Sequence, residues 1–408
     1  NIAGVINQKN KIIKKEIDKF KKVIGISISS KEINQILTSL GCKVKTEKKL
    51  FKIEVPSWRP DLIQDIDLIE ELIRIKGFNE IQLIEPEKKR KKETLNFQQK
   101  LFHLSQRALA SKGYLEAITW SFTDSRIDRK FSKGEKEIKI FNPISKDLDV
   151  MRRSIFSNLS IHMKKNQDRG IEDISLFEIG PTFFGKNPGE QQTVIGALKN
   201  GISGRKSWSE KSRSIDVFDV KSDAVRTLID LGLEEDDLHV NSSSKDCYHP
   251  GRSGSINLKS KQGPHLAYFG ELHPAIITSL DFKEKNIFGF EIFLKNIPEP
   301  EKKLRISKKN YTVSDYQKSE RDFAFVIDKK YKVGDLEMLI KSIDTNMIKK
   351  VITFDVFEGQ NIPQEKKSVA INVTIQHPDK TLTEKDLDQI SQKIIDLVKE
   401  KIGATIRT

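Results

Sequence analysis

The sequence predicts an α+β protein made of successive regions, and three patterns carry that prediction. The last hundred or so residues, 301–408, read as strand, helix, strand, strand, helix, strand, which is the order of a split βαβ, ferredoxin-like domain placed at 309–408. Between 95 and 300, strand-like runs outnumber helical ones and return at hairpin distances, so an antiparallel sheet flanked by helices is expected. Residues 21–85 show helical periods around one short hairpin and form a small helix-rich domain.

Taken in order, residues 1–20 are lysine-rich and amphipathic, with Ile12, Ile13, Ile17 and Phe20. They read as a remnant of a missing upstream region, and a chain opening on Asn with no signal-like segment is expected to start inside a longer one. Ser29-Ser30-Lys31-Glu32 is a helix start, since Ser29 can cap the first turn and Glu32 stands three residues on. That helix carries Ile33, Ile36, Leu37 and Leu40 and stops at Gly41; residues 42–55 then alternate as a strand pair around Lys48-Lys49. Pro56 and Pro60 keep the next stretch extended, and a helix follows from about 63 to its stop at Gly77. The run K-K-R-K-K between Glu87 and Glu93 is read as a solvated linker, although lysines and arginines of this kind can also meet phosphate.

Helices are expected at 97–112, 152–167 and 220–231, with strands at 117–122, 174–180, 194–198, 255–258, 267–272 and 287–294. The last domain then gives strand 321–327, helix 333–343, strands 349–357 and 368–376, helix 384–401 and strand 404–407.

Composition narrows the classes of function. A length of 408 residues suggests two to four domains, and 37% hydrophobic with 32% charged residues fits a soluble globular protein. The net charge of +14 points to a polyanionic partner, nucleic acid before membrane, because no apolar run is long enough to span a bilayer. Cys42 and Cys247 lie far apart without C-x-x-C spacing and read as buried thiols in a reducing compartment.

Two places could carry chemistry. On the helix ending at Gly77, Asp67, Glu70, Glu71 and Arg74 stand at i, i+3, i+4 and i+7 and share a face, with Asp61 just ahead. Carboxylates so placed repel one another unless a cation joins them. A hard, oxygen-seeking ion such as Mg2+ is one candidate, and neutralisation by Arg74 with the help of the helix dipole is the other. In the last domain, Val369, Ile371, Val373 and Ile375 point one way while Ser368, Ala370, Asn372, Thr374 and Gln376 point the other. One sheet face therefore packs on helices and the other is open, small and polar: a platform for single-stranded RNA, or plain solvated surface.

Several short motifs in one order resemble the C-terminal half of the β subunits of bacterial phenylalanyl-tRNA synthetases, over essentially residues 21–408. They are V-P-S-W-R-P-D with D-L-I-E-E-L-I-R-I-K-G-F at 55–78, N-P-I-S…M-R-R-S-I at 142–155, and N-Q-D-R…L-F-E-I-G at 166–180. H-P-G-R-S-G at 249–254, G-E-L-H-P at 270–274, S-E-R-D-F-A-F-V at 319–326 and F-D-V-F-E-G at 354–359 complete them. The resemblance implies a small helical domain, a degenerate class II synthetase-like domain at 95–300 and a ferredoxin-fold anticodon-binding domain. It implies ATP-dependent charging of tRNA(Phe) with phenylalanine by a cytoplasmic α2β2 heterotetramer whose chemistry and ATP lie in the α subunit. Mg2+ ligands shared with that subunit then fall on Asp61, Asp67, Glu70 and Glu71. On the open face of the last sheet, Asn372 and Thr374, with the basic ends Arg321 and Arg407, are expected to meet the anticodon loop, and Phe357 is the nearest aromatic that could stack.

Catalytic class II domains hold ATP with two arginines, and at the matching places this chain has Phe177-Glu178-Ile179-Gly180 and Gly289-Phe290-Glu291-Ile292. Without those cations, charge developing on the α-phosphate has no stabiliser, so no catalytic residue is expected here. His249 and His273 sit beside Pro and Gly as turn residues, and Cys247 with His249 lacks further ligands for zinc. A non-enzymatic RNA-binding scaffold built from the same domains is the alternative reading.

Overall fold

The structure, a computed structural model, describes residues 4, 10–47, 50–86, 94–204, 207–209, 211–284, 286–300, 313–359 and 362–407. The chain divides into two compact units, Asn1–Ile297 and Pro298–Thr408.

The first unit opens with β1 (Ile12–Glu16), α1 (Ile17–Ile24), α2 (Ser30–Ser39), β2 (Lys43–Glu47), β3 (Leu50–Glu54) and α3 (Asp65–Lys76). The strands form an antiparallel sheet in the order β1-β3-β2. Ser29 caps α2 with the reciprocal Glu32 bond that its spacing implied. Ile13, Phe20, Ile33, Leu37, Phe51, Leu68 and Leu72 share one core. Residues 12–20, read above as a remnant, are thus part of this fold: Ile13 lies opposite Ile53, and Phe20 packs edge-on against Phe51. The partner strand lies some forty residues away, a pairing that no local pattern reveals. Lys48, Lys49 and the basic run at 87–93 fall outside the described residues.

Next come α4 (Phe97–Ser111), β4 (Leu115–Glu116), β5 (Phe122–Thr123), α5 (Ser125–Phe131), β6 (Val150–Met151), α6 (Phe156–Asp168), β7 (Ile174–Phe183) and β8 (Gln191–Asn200). They are followed by β9 (Ile202–Ser203), β10 (Arg213–Ser214), α7 (Val217–Asp230), β11 (Leu238–Asn241), β12 (Tyr248–Leu258), β13 (His265–Leu272), α8 (Pro274–Ser279) and β14 (Phe288–Phe293). Seven strands join in the order β11-β12-β13-β14-β8-β7-β4, antiparallel except where the short β4 runs beside β7. Alternation along β7 and β14 feeds two cores. Phe177, Ile179, Phe290 and Ile292 meet α4 and α7 through Leu109, Val220 and Leu228. Leu176 and Phe293 belong to the opposite face, with Phe156, Leu159 and Met163 of α6.

Two expectations shift here. The strand expected at 117–122 does not form as such: the flanking pieces are β4, which ends at Glu116 beside β7, and β5, where Phe122 pairs with Met151. The helix expected from 152 starts at Phe156; Arg152 and Arg153 lie buried ahead of it, their side chains drawn into ion pairs.

The second unit comprises β15 (Ser319–Asp328), α9 (Val333–Lys341), β16 (Ile348–Phe357), β17 (Lys366–Ile375), α10 (Glu384–Ile402) and β18 (Thr405–Ile406). The antiparallel order β16-β17-β15-β18 is the ferredoxin-like one expected. Phe323, Phe325, Val369, Ile371 and Val373 pack against Leu336, Ile340, Ile390 and Ile394 of the two helices. Thr383 and Asp386 box the start of α10, and Gly403, at φ 68°, ends it in the left-handed conformation that glycine adopts freely.

Candidate functional site

The acidic stretch is built by a turn and a helix. Leu68, Leu72 and Ile73 bury one side of α3, leaving Glu70 and Arg74 exposed on the other. Asp67 lies in the first turn, where one of its oxygens accepts the backbone N–H groups of Ile63 at 2.7 Å and Gln64 at 2.6 Å, a cap that also fixes the preceding loop. Arg59, held between Pro56 and Pro60, reaches both ends of the stretch. Its Nε donates to Asp61 Oδ1 at 3.0 Å, and its Nη2 donates to Asp61 Oδ2 at 2.7 Å and to Glu71 Oε1 at 2.8 Å. Arg74 takes the other oxygen of Glu71. The guanidinium of Arg59 holds the Asp61 carboxyl below the usual carboxylate range. Burial pushes Glu71 upward, but hydrogen bonds from Arg74 and Arg59 outweigh it and leave the carboxyl lowered.

The donors are all hard carboxylate oxygens, the chemistry that Mg2+ takes, yet they do not converge on one point. Among the described residues no group of three or more His, Cys, Asp or Glu side chains is arranged to hold a metal ion. Arg59 supplies the positive charge between Asp61 and Glu71 instead. Sequence spacing isolated the four carboxylates; Arg59 was passed over although it lies in the same motif, because reach across a turn leaves no periodic signal.

In the sheet of the first unit, the two strands expected to lack arginine carry buried glutamates. Glu178 on β7 accepts from Arg152 Nη1 at 2.6 Å and from Thr119 Oγ1 at 2.7 Å. Glu291 on β14 accepts from Ser154 Oγ at 2.8 Å and from Lys245 Nζ at 3.1 Å. Gly180 leaves the space that the Arg152 guanidinium fills; a Cβ there would lie 2.2 Å from its Nη2. The remaining cavity, lined by Thr182, Gln192, Lys245, Glu291 and Phe293 among others, measures about 50 Å3. Small-molecule pockets begin at roughly 300 Å3, so it is too small for a nucleotide. A larger adjoining cleft of about 540 Å3, lined by residues 129 and 132–137 with Arg153, touches neither glutamate. His249 accepts from the Gly251 amide and His273 caps α8 through the Ala275 amide, so both histidines serve backbone.

On the last sheet, Asn372 and Thr374 face away from the helices, as the alternation implied. Asn372 Nδ2 donates to Asp322 Oδ1 at 2.7 Å on the same face. Arg407 reaches across this face until its guanidinium lies 5.6 Å from the ring centre of Phe357, which is 41% exposed. Small residues between them, Ala324 and Ala370, make that crossing possible. Arg321 falls elsewhere: it lies opposite Val373 and shares the parity of Phe323, so it points to the helix side. Lys350, opposite Thr374, is an exposed cation on the open face, placed there by a register shift after the buried Ile348 that no simple alternation reveals.

Known proteins align with all of these parts. A family model of the phenylalanyl tRNA synthetase beta chain CLM domain matches residues 81–294, just over half of the chain. Models of the tRNA synthetase B5 domain and the ferredoxin-fold anticodon binding domain match 13–78 and 314–407. The phenylalanine–tRNA ligase beta subunit of Paramagnetospirillum magneticum is 35% identical over 407 residues, covering 100% of this chain and 50% of that protein. The corresponding subunit of Bartonella henselae is 36% identical over 398 residues, covering 96% of this chain and 49% of its own length. The chain therefore spans about half the length of these relatives. The resemblance read from the motifs is borne out, and the chain belongs to the phenylalanyl-tRNA synthetase β-chain family.

Proposed function

We propose that this chain is the non-catalytic portion of a phenylalanine–tRNA ligase β subunit. It supports ATP-dependent attachment of phenylalanine to tRNA(Phe) by docking an α subunit that holds ATP and performs the chemistry, in a cytoplasmic α2β2 assembly. The functional divisions are a carboxylate-bearing domain to residue 85, a synthetase-like scaffold over 95–300 and an anticodon-binding domain over 309–408. Among the described residues no helix is long and apolar enough to cross a membrane.

The observation that carries the docking role is an unburied apolar surface around the paired strands β5 and β6. Ile118, Trp120, Phe141 and Ile144 are 90%, 64%, 102% and 81% exposed, while the same region is locked inside by Asn158, whose amide donates to the Trp120 and Phe122 carbonyls. Large apolar side chains held outward on an ordered frame mark an interface with another protein. A second such rim, Ile63 and Ile66, borders Asp67 and Glu70. There, Asp61, Asp67, Glu70 and Glu71 would hold Mg2+ once the α subunit completes its coordination; the ion would supply positive charge to the contact. Anticodon contact is assigned to the open face of the last sheet. Asn372 and Thr374 would reach base edges, the Arg407–Phe357 pair would offer a stacking surface, and Lys350 would meet phosphate. Arg321, at the start of β15 and on the helix side, would meet the anticodon loop only from the end of the sheet.

Co-expression with a cognate α subunit tests this. The chain is expected to co-purify with α in a Mg2+-dependent manner, and Trp120→Asp together with Phe141→Asp to abolish the complex. Loss of residues 309–408 is expected to weaken tRNA(Phe) binding while sparing α association. Retention of α by the double aspartate variant would remove the docking assignment, and unchanged tRNA affinity after the truncation would remove the anticodon one.

A further inference from the structure

We propose that the buried Glu178 carboxylate is a positioning group for the docking surface: acting through Thr119, Arg152 and Asn158, it fixes residues 117–121 so that Ile118 and Trp120 stand outward. The proposal rests on the docking reading above and adds what holds that surface in shape.

Residues 117–121 join β4 to β5 and belong to no strand. Their backbone is tied at both ends, where the Ala117 amide donates to the Phe177 carbonyl at 2.7 Å and the Arg152 amide to the Ser121 carbonyl at 3.0 Å. Between those ends the fastening is by side chains. Thr119 Oγ1 donates to Glu178 Oε2 at 2.7 Å and accepts from Arg152 Nη1 at 2.9 Å and Asn158 Nδ2 at 3.1 Å. Asn158 Nδ2 also reaches the Trp120 carbonyl. Thr119 is half-buried while its neighbours Ile118 and Trp120 are exposed, so the bonds that draw Thr119 inward turn both apolar side chains out. The Trp120 ring lies nearly parallel to that of Phe122, with centres 6.3 Å apart.

The division of Glu178 between two partners points to this role. Its Oε1 already pairs with Arg152 at 2.6 Å, and a buried ion pair adds little stability over apolar packing of the same shape. Its Oε2 is committed to a hydroxyl on the segment that carries the exposed apolar side chains. Glu178 itself is placed by β7, which pairs with β8 from Ile174 to Phe183. A surface anchored in this way meets its partner already ordered, which lowers the ordering cost of association.

The test uses the full chain with a cognate α subunit and reads α affinity, the denaturant midpoint and hydrogen exchange over 117–122. Thr119→Val, which keeps the shape and removes the hydroxyl, is expected to weaken α binding about tenfold, with faster exchange over 117–122 and little change in midpoint. Thr119→Ser, which restores the hydroxyl, is expected to bind α as the unaltered chain does. Should Thr119→Val not fold, Arg152→Met with Glu178→Leu gives the same reading: packing replaces the ion pair, Thr119 loses its carboxylate, and α binding is expected to weaken at a midpoint near the original. Unchanged α affinity in whichever of these variants folds overturns the positioning role. So does equal weakening by Thr119→Ser and Thr119→Val, or weakening that comes with a lowered midpoint and no faster exchange over 117–122. Retention of α by the chain carrying Trp120→Asp and Phe141→Asp overturns the docking reading itself, whatever Thr119 does.

Discussion

Arg152 and Arg59 do the same chemistry in two regions of the first unit, and only their depth differs. Each ties down a carboxylate from elsewhere in the chain, Glu178 in one case and Glu71 with Asp61 in the other. Arg152 is 1% exposed and Glu178 4%, with Thr119 and the Pro181 carbonyl closing the remaining positions. Arg59 and Asp61 border water, while Glu71 lies buried beneath them. A buried pair cannot exchange partners, because losing one leaves a charge in low dielectric. A surface pair can, because water and ions stand ready to replace either member. The same two residue types thus make a fully buried brace in the sheet and a partly exposed one between the turn before α3 and α3 itself.

The largest expected effect lies at the brace. Arg152→Ala should lower unfolding stability by about 3–5 kcal/mol, because it strands Glu178 inside the sheet domain. The pair Arg152→Met with Glu178→Leu should recover most of that loss, whereas Asp61→Asn at the surface should leave the denaturant midpoint almost unmoved. Equal losses from Arg152→Ala and Asp61→Asn in denaturant titrations would erase the distinction by depth.

A smaller, pH-dependent effect sharpens the same contrast. Burial, with Lys245 nearby, pushes the His265 imidazole down from 6.5 to about 4, and its Nε2 is enclosed without a hydrogen-bond partner. The unfolded chain therefore takes up this proton first, and stability falls as pH drops from 6.5 to about 4. Glu32 behaves differently. Hydrogen bonds from Lys76 and Ser29 lower it to about 2, so its contribution is fully present above 4.5 and is lost only as pH falls toward 2. His265→Phe should flatten the acid limb between pH 6.5 and 4 and leave the steeper loss below it. An unchanged limb in that window would show that His265 is solvated in the folded state.

What the sequence disclosed follows the range of the interactions involved. The acidic stripe of α3, the Ser29–Glu32 box and the two faces of β17 were legible, since each is a repeat within a few residues. The ferredoxin-like order was legible for the same reason. What remained hidden depends on contacts between distant residues. The pairing of β1 with β3, the burial of Arg152 and Arg153 ahead of α6, and the crossing of Arg407 to Phe357 are of this kind. Arg321, expected as a basic end near the anticodon, shares the parity of Phe323 and so lies on the helix side of β15. Arg59 shows the limit most clearly: its carboxylate partners were identified, and the cation already joining them was not.

The central proposal is that the sheet domain serves as a scaffold and does not itself perform adenylation. Phenylalanine-dependent exchange of pyrophosphate into ATP measures it directly. Making an adenylate requires fixed cations around the α-phosphate. Here Glu178 and Glu291 occupy the two strands, and about 50 Å3 of space remains beside Glu291. The purified chain should show no exchange above background, and exchange should appear when a cognate α subunit and the upstream half of a β subunit are supplied. Phenylalanine-dependent exchange by residues 1–408 alone would contradict the account.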